Sequence, residues 1–309
     1  MRCLLTGGAG FLGAIMTPRL LACGMHVTVL DHFTHKQNSL ASCCANPNFT
    51  AVRGDARDIG LMKSLLAHAD VIIPLAAIVG APACNADPTA AISTNRDAIS
   101  TLCQFASPYQ MVIIPITNSG YGIGDRDTEC TEYSPLKPIS LYGRTKVEAE
   151  EIALSRENSI SLRLATVFGM SPRHRLDLLV NDFVYRAIHD RAILLFESHF
   201  RRNFIHCRDV AEAFVHSIGN FYTMKGKPYN VGLSSANLTK WQLCEQIKKH
   251  VDFYFCDAPV GEDPDRRDYV VSNARFEATG WKAQLSLDDG IQELIKGYQM
   301  IRNGSYGNV

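Results

Sequence analysis

The chain has 309 residues, enough for one large domain or two smaller ones, and its 31 basic residues balance its 31 acidic residues. This balance argues against a protein that binds nucleic acid or another polyanion. No apolar run approaches the ~20 residues that a membrane helix requires, so we expect no membrane partner.

The ten cysteines include no Cys-x-x-Cys pair, and Cys43 and Cys44 are adjacent, which suits neither an ordinary disulfide nor a zinc site. We therefore predict buried free thiols, no metal site and a reducing cytoplasm. The strand pattern begins at Arg2 with no leader before it, which also favours the cytoplasm. Residues 303–309 are expected to be loose.

The first predicted strand, residues 2–6, leads directly into a glycine motif formed by Gly7, Gly10 and Gly13, and a helical pattern follows. The first glycine of such a motif permits a tight turn, and the second lets the backbone approach a pyrophosphate. The third allows helix and strand to pack closely, and the helix N-terminus faces the anion. The motif therefore predicts a dinucleotide site.

The second predicted strand, residues 26–31, ends in a carboxylate 18 residues past Gly13. Asp31 can accept hydrogen bonds from the adenosine ribose hydroxyls, and it would repel a 2′-phosphate. No arginine that could bind such a phosphate follows in His32 and Phe33. The strand end therefore predicts NAD rather than NADP.

Three further strands are predicted, at residues 49–53, 71–77 and 111–117. Asp55 follows the first of them, where a carboxylate could meet the adenine amino group, and Asp58 is expected to cap the next helix. The strand at residues 71–77 ends in small residues, which allow a cofactor to lie close. Strands that alternate with helices predict a parallel, doubly wound α/β sheet that binds ligands at the carboxyl ends of its strands.

A second motif lies at residues 140–146. If this stretch is helical, Tyr142 and Lys146 are four residues apart and share one face, although the spacing alone also suits a surface helix. A tyrosine hydroxyl titrates near pH ~10, and a lysine ammonium one turn away favours the phenolate. Such a pair can remove a proton from a substrate alcohol while hydride leaves its carbon. We therefore predict that Lys146 lowers the pKa of Tyr142.

Taken together, the chain resembles the extended short-chain dehydrogenases/reductases, the group of NAD-dependent nucleotide-sugar epimerases and dehydratases. The resemblance covers most of the chain, and the order and spacing of its motifs make it specific. The matching motifs are the glycines of residues 7–13, Asp31, residues 54–55, residues 75–77, Thr117 with residues 121–122, Tyr142 with Lys146, residues 162–169 and residues 202–210.

The resemblance implies NAD as cofactor and a division of labour in the site. Thr117 would hydrogen-bond the reacting oxygen of the sugar, Tyr142 would act as the base, and Lys146 would hold the nicotinamide ribose. The usual hydride transfer oxidises C4 of the sugar to a 4-keto sugar. The predicted cofactor-binding residues are Gly7, Gly10, Phe11, Leu12, Asp31, His32, Asp55, Ala56, Leu75, Ala76, Ala77, Tyr142 and Lys146.

The chain departs from the family pattern directly after Thr117. Family dehydratases carry Asp-Glu there, and those acids remove water from C5 and C6, whereas this chain has Asn118 and Ser119. The 3,5-epimerases carry a cysteine at the position of Ser119. Dehydration and inversion at C3 or C5 are therefore disfavoured, and chemistry at C4 remains.

Residues 1–168 are expected to form the NAD-binding domain, to which some later segments return, and residues 169–309 mainly a smaller, segmented nucleotide-sugar-binding domain. The resemblance implies that the diphosphate contacts arginines, which suit phosphate oxygens. The cluster at residues 173–175 could be a solvated loop or part of the sugar pocket. The predicted substrate-binding residues are Thr117, Asn118, Ser119, Asn181, Arg202, Arg266 and Arg267.

Several stretches, at residues 75–80, 117–122 and 178–183, are similar to the subgroup that oxidises C4 of nucleotide-activated heptoses, such as GDP-D-glycero-D-manno-heptose, in bacterial capsule and surface-sugar assembly. The resemblance implies a reduced cofactor that stays bound, 2-oxoglutarate as a possible reoxidant, and a homodimer. The alternatives are a 4-epimerase, a 4,6-dehydratase with an acid and base from elsewhere in the chain, and a dinucleotide-sensing regulator. A regulator is disfavoured because Thr117, Tyr142 and Lys146 are all present.

Overall fold

The structure is a computed structural model that describes residues 1–35, 38–124, 128–261 and 267–301. Of the sequence predictions, those for Arg266 and for residues 303–309 lie outside the described residues. The strands of the described part are β1 (Arg2–Thr6), β2 (His26–Asp31), β3 (Phe49–Arg53), β4 (Val71–Pro74), β5 (Met111–Thr117), β6 (Ser159–Leu164), β7 (Thr166–Phe168), β8 (Ala192–Leu195), β9 (Arg201–His206), β10 (Lys227–Val231), β11 (Asn237–Thr239) and β12 (Tyr254–Asp257).

The helices alternate with the strands in the first half of the chain and are more scattered in the second half. They are α1 (Gly13–Ala22), α2 (Ile59–Leu66), α3 (Ala81–Ala86), α4 (Pro88–Ile92), α5 (Ala98–Phe105), α6 (Leu141–Leu154), α7 (Leu179–His189), α8 (Cys207–Gly219), α9 (Phe221–Met224), α10 (Lys240–Lys248), α11 (Ala274–Glu277) and α12 (Leu287–Gly297). A π-helical turn, Ser93–Asp97, joins α4 to α5, and Asn118–Tyr121 forms a 3₁₀ turn after β5.

Seven parallel strands form the main sheet in the order β10-β6-β5-β4-β1-β2-β3. β1 lies between β2 and β4, so the strand order reverses beside it and leaves a crevice at the carboxyl ends. Residues of β1 alternate between two cores: Leu5 packs on the side of α1 and α8, and Leu4 on the side of α2 and α5. This arrangement confirms the predicted doubly wound α/β fold.

The predicted bounds of β1, β2, β3 and β5 are confirmed, but β4 ends at Pro74, three residues earlier than predicted. Pro74 lies opposite Thr6, the last residue of β1, and the pairing ends with a hydrogen bond of 2.9 Å from the backbone nitrogen of Leu75 to the carbonyl oxygen of Thr6. Asp58 caps α2 as predicted, because its carboxylate accepts a hydrogen bond of 3.0 Å from the backbone nitrogen of Leu61.

The second half of the chain adds two small sheets, β11-β9-β7 and β12-β8. A separate core joins them to α7, α10 and α12 through buried side chains such as Val184, Leu243 and Ile291. β10, by contrast, pairs with β6 and completes the main sheet. The expected domain boundary at residue 168 remains a prediction.

None of the ten cysteines forms a disulfide bond. The prediction that they are all buried was wrong for Cys23 and Cys44, which are exposed because they lie at the surface end of α1 and in the short turn after β2. Within the described ranges, no helix has the length and apolar character that crossing a membrane demands.

Candidate active site

One cavity of about 670 Å³ opens at the carboxyl ends of the main strands. Gly7 follows β1, Asp31 ends β2, Leu75 follows β4 and Thr117 ends β5, and all four line the cavity. Every predicted cofactor-binding residue lines it too. So do four of the predicted substrate-binding residues, namely Thr117, Ser119, Arg202 and Arg267.

The glycine motif forms a tight cradle at the start of α1. Gly7 has φ of +70°, and a Cβ atom there would lie 2.5 Å from the backbone nitrogen of Ala76. A Cβ atom at Gly13 would lie 2.4 Å from the Cα atom of Gly8, so the third glycine permits the close packing of helix and turn. At Gly10 a Cβ atom would approach only the carbonyl oxygen of Gly7, at 3.1 Å. The backbone at Gly10 is therefore open to a ligand in the cavity, as a pyrophosphate requires.

Asp31 is held rigidly at the end of β2. One carboxylate oxygen accepts a hydrogen bond from the backbone nitrogen of Ala9 at 3.0 Å, and the other from that of Phe33 at 2.8 Å. Each oxygen keeps a further lone pair for a ribose hydroxyl. Together with the glycine cradle, this anchored carboxylate fits the adenosine and pyrophosphate of NAD.

Asp55 reaches the cavity, but its carboxylate is engaged by Arg57. The guanidinium group of Arg57 binds both carboxylate oxygens, at 2.6–3.0 Å, and the Arg57 backbone nitrogen donates to one of them at 2.8 Å. These hydrogen bonds hold the pKa of Asp55 below its usual range. A contact with the adenine amino group would therefore have to be shared with Arg57, a partner that sequence reasoning missed.

The predicted helix around the second motif is confirmed as α6. Ser140 caps it, because its Oγ atom accepts a hydrogen bond of 3.1 Å from the backbone nitrogen of Gly143. Tyr142 and Lys146 both line the cavity from one face of the helix. The surface-helix alternative is therefore excluded.

The cavity face of α6 is braced by Asn95, a fully buried residue of the π-helical turn. Its side chain accepts a hydrogen bond from the backbone nitrogen of Ile78 at 2.8 Å and donates to the carbonyl oxygen of the same residue at 2.9 Å. It also donates to Thr145 at 3.3 Å, next to Lys146. Asn95 thereby ties the segment after β4 to the helix that carries the Tyr-Lys pair.

The prediction that the pKa of Tyr142 is lowered was wrong. Burial raises the pKa of Tyr142 to about 12, and the charges of Arg175 and Arg267 oppose this effect. Burial also lowers the pKa of Lys146 to about 8, against an opposing effect of the Glu150 carboxylate. Desolvation thus moves both groups toward their neutral forms, which helical spacing alone could not reveal.

Thr117, Ser119 and Arg267 form a connected chain of hydrogen bonds beside Tyr142. Thr117 donates its hydroxyl to the Oγ atom of Ser119 at 2.9 Å, and Arg267 donates to the same Oγ atom. Thr117 also acts on the pKa of Tyr142, in the direction opposite to the effect of burial. The structure therefore brings together three predicted substrate-binding residues and the predicted base.

Two predicted substrate-binding residues do not reach the cavity. Asn118 is buried in the 3₁₀ turn after β5 and does not line the cavity. Asn181 is fully buried in α7, and its amide donates to the carbonyl oxygens of Gly169 and Arg175 at 3.2 and 2.9 Å. Both amide hydrogens of Asn181 are thus used inside the protein, and none is left for a diphosphate.

The loop at residues 170–178 carries groups that the sequence did not assign to the site. Ser171 donates to the carbonyl oxygen of Phe11 at 2.8 Å, and Arg173 lies 3.0 Å from the Nδ1 atom of His35, so the loop folds back onto the cofactor end of the cavity. Arg173 and Arg175 are buried rather than solvated. The solvated-loop alternative for this cluster is thus excluded, because Arg173 and Arg175 line the cavity, and its part in a sugar pocket stays a prediction. The additional lining residues are His35, Arg57, Arg173, Arg175, Asp177, Asp182 and Lys240.

The fold and the site define a dinucleotide-dependent oxidoreductase with a Tyr-Lys pair. A family model, the NAD dependent epimerase/dehydratase family, matches residues 3–232. The chain belongs to this family of NAD-dependent extended short-chain dehydrogenases/reductases that act on nucleotide sugars, and its cofactor is NAD.

The family members that the chain resembles differ in activity. It is 29% identical to the low-salt glycan biosynthesis protein Agl12 of Haloferax volcanii, over 96% of this chain and 98% of that protein. It is 25% identical to UDP-glucuronic acid decarboxylase 1 of Arabidopsis thaliana, over 97% of this chain and 70% of that protein. The fold is similar to the structure of UDP-glucuronic acid 4-epimerase from Bacillus cereus in complex with UDP-glucuronic acid and NAD, with a TM-score of 0.82. The two sequences are 23% identical, and the match covers 97% of this chain and 99% of that one.

Proposed function

We propose that the enzyme oxidises C4 of a nucleotide-activated sugar and leaves a 4-keto sugar. The surroundings of Ser119 carry this proposal. Elimination of water requires an acid and a base beside the catalytic threonine, and here that position holds a hydroxyl bound to Thr117 and to the guanidinium group of Arg267. A cation-bound hydroxyl cannot replace a carboxylate in that task, so chemistry at C4 is favoured.

The remaining carboxylates of the described cavity lining support the same choice. Asp31 is held at the predicted adenosine end of the cavity by backbone hydrogen bonds, and Asp55 is held there by Arg57. Asp177 is paired with Arg175. Asp182 is half-exposed and lies 3.8 Å from Arg186, and burial raises its pKa to about 6. None of these carboxylates lies in the hydrogen-bond chain around Tyr142.

Each residue of the site then has its own role in the proposed oxidation. Tyr142 takes the proton of the C4 hydroxyl, and Thr117 holds the reacting oxygen by a hydrogen bond. Lys146 binds the ribose next to the nicotinamide, and NAD supplies the ring that accepts the hydride. Arg202 and Arg267 bind the diphosphate, for which guanidinium groups provide paired donors. The guanidinium group of Arg202 is buried above the ring of Tyr269, 5.9 Å from its centre, which fixes its position in the cavity.

For the sugar we infer a nucleotide-activated heptose such as GDP-D-glycero-D-manno-heptose, in bacterial surface-polysaccharide synthesis in the cytoplasm. The motif similarity to heptose C4 oxidation supports this choice. The reduced cofactor would stay bound and be reoxidised by a keto acid such as 2-oxoglutarate. A homodimer that pairs α5 and α6 across its axis is part of the same proposal, and light scattering of the purified protein tests it.

The deciding experiment adds candidate nucleotide sugars to purified enzyme, follows absorbance at 340 nm and measures product mass. Bound NADH together with a product two mass units lighter, and turnover only after 2-oxoglutarate is added, is the expected result. An isomer of unchanged mass with no lasting NADH signal would assign the enzyme as a 4-epimerase. Loss of one water would indicate a 4,6-dehydratase, and loss of carbon dioxide from a nucleotide uronate would indicate a decarboxylase.

A further inference from the structure

The glycine motif offers a pyrophosphate backbone donors but no charged side chain. Residues 7–13 contain only glycine, alanine, phenylalanine and leucine, and the first turn of α1 carries neither an acid nor a base. A pyrophosphate is negatively charged, and a guanidinium group supplies both the opposite charge and paired donors for its oxygens. An arginine from another part of the chain would therefore complete the site.

Residues 169–175, which we call the arch, form a preformed loop before α7. Asn181 holds the two ends of the arch together. Its side chain accepts a hydrogen bond from the backbone nitrogen of Gly169 at 3.0 Å and donates to the carbonyl oxygen of Arg175 at 2.9 Å. The base of the arch is therefore fixed in the second half of the chain.

Two contacts join the arch to the cofactor half of the cavity. Ser171 donates its hydroxyl to the carbonyl oxygen of Phe11, a residue of the glycine motif, at 2.8 Å. Two residues further on, the guanidinium group of Arg173 donates to the Nδ1 atom of His35 at 3.0 Å. Because Phe11, His35 and Arg173 all line the cavity, the arch crosses it between the glycine motif and the loop after β2.

The loop that carries His35 is itself anchored on the glycine motif. Asp31 accepts a hydrogen bond from the backbone nitrogen of Ala9 at 3.0 Å, and Ser39 donates to the carbonyl oxygen of Ala9 at 2.8 Å. Burial and the charge of Arg173 hold the pKa of His35 below its usual range. A neutral imidazole accepts at Nδ1 and carries its hydrogen on Nε2, so the positive charge of this contact is that of Arg173.

Burial gives Arg173 a further reason to meet an anion. Its side chain is almost completely buried, yet it lines the cavity. A buried guanidinium group is stabilised when a negative charge comes within reach, because the interaction offsets part of its desolvation. The pyrophosphate of a dinucleotide bound on the glycine motif is such a charge.

We propose that Arg173 binds the pyrophosphate of NAD, and that the arch closes over the cofactor through the contacts of Ser171 and Arg173. Release of the cofactor then requires both contacts to open. The inference concerns the cofactor rather than the sugar, so it goes beyond the proposed C4 oxidation without resting on it. It also supplies a physical reason for a cofactor that stays bound after it has been reduced.

The test measures how fast enzyme saturated with NADH releases it when mixed with excess NAD. Loss of NADH fluorescence gives the dissociation rate, and displacement of NADH by ADP and by adenosine gives the affinity for a ligand with and without phosphate groups. The variants are Arg173→Gln, Arg173→Lys and Ser171→Ala, and thermal unfolding shows whether each is folded. Arg144→Gln is the matched control, because Arg144 is an exposed arginine of α6 that does not line the cavity.

We expect Arg173→Gln to speed the release of NADH about 10–100-fold and to weaken ADP by a similar factor, since hydrogen bonds to a charged group are lost. Affinity for adenosine should stay the same, and Arg144→Gln should behave like the unchanged enzyme. Arg173→Lys keeps the charge but not the paired donors, so its effect should be smaller. Ser171→Ala loses one neutral hydrogen bond and should speed release about fivefold.

Unchanged release of NADH from Arg173→Gln, with weaker binding of the nucleotide sugar alone, would overturn the proposal and place Arg173 at the sugar. An equal loss of affinity for ADP and adenosine would also overturn it, because the arch would then shape the cavity without binding the pyrophosphate. If Arg173→Gln does not fold, unchanged release from both Arg173→Lys and Ser171→Ala has the same meaning. Faster release of NADH from an enzyme that oxidises no nucleotide sugar would remove the proposed C4 oxidation and leave this inference standing.

Discussion

The backbone nitrogen of Ala76 lies 2.5 Å from the point that a Cβ atom would occupy at Gly7. This approach joins the turn after β1 to the end of β4, the two segments that flank the middle of the cavity. Gly7 also has φ of +70°, a conformation that other residues adopt only with strain. Both features require glycine at position 7, because any side chain there would strain the backbone and would clash with Ala76.

Gly7→Ala should therefore destabilise the protein and abolish NAD binding. Gly24→Ala separates the two causes, because Gly24 has φ of +76° but open space around its missing Cβ atom. We expect Gly24→Ala to lower the free energy of unfolding by only about 1–2 kcal/mol and to retain NAD binding. Urea unfolding and calorimetric titration with NAD provide the measurements. If Gly7→Ala and Gly24→Ala changed stability and NAD binding equally, the close approach of Ala76 to Gly7 would not be the cause.

Tyr142→Phe removes one hydroxyl from the face of α6 that lines the cavity. Because this hydroxyl is the proposed base, we expect turnover to fall by at least about a hundredfold while NAD affinity changes little. The measurements are the single-turnover rate at 340 nm and the dissociation constant of NAD. A dinucleotide-sensing regulator would be indifferent to the substitution, and unchanged turnover would remove Tyr142 from the mechanism.

Lys146 should react with acylating reagents at lower pH than the surface lysines. Its pKa of about 8 means that the neutral, nucleophilic amine becomes the major form as pH rises through 8, whereas an exposed lysine reaches that point near pH ~10.4. Competitive labelling with acetic anhydride, read by mass spectrometry, measures this half-point. Bound NAD should slow the labelling, since Lys146 lines the cavity. A half-point near 10 would contradict the effect of burial.

Asn181→Ala and Asn118→Ala form a matched pair of buried asparagines. The first removes three hydrogen bonds to backbone groups of Gly169 and Arg175 and should cost about 2–4 kcal/mol of stability. The Nδ2 and Oδ1 atoms of Asn118 have no hydrogen-bond partner among the described residues, so its removal should cost less than about 1 kcal/mol.

Thermal unfolding and calorimetric titration with a nucleoside diphosphate test both variants. For folded Asn181→Ala protein we expect the affinity for the diphosphate to fall only modestly, through displacement of Arg175. Full stability combined with complete loss of affinity would instead restore Asn181 as a direct ligand.

The cofactor half of the site could be predicted closely from the sequence. The glycine spacing, the carboxylate at the end of β2 and the four-residue spacing of Tyr142 and Lys146 are local patterns. Each follows from the geometry of one turn, one strand end or one helix face. These elements were therefore placed correctly before any contact between distant segments was known.

The substrate half depended on tertiary structure. Arg175 and Arg267 line the same cavity as Tyr142 only because segments that are distant in sequence fold together, and no periodicity of the sequence predicts that. Asn181 matches a family motif, yet the carbonyl groups around it use its amide inside the protein.

Sequence alone thus determined the fold, the cofactor and the placing of Tyr142 and Lys146 on one helix face, because short-range geometry decides them. The pKa of Tyr142, and the set of distant side chains that line the cavity with it, were decided by burial and long-range packing. Desolvation and the approach of distant charges exist only in the folded chain.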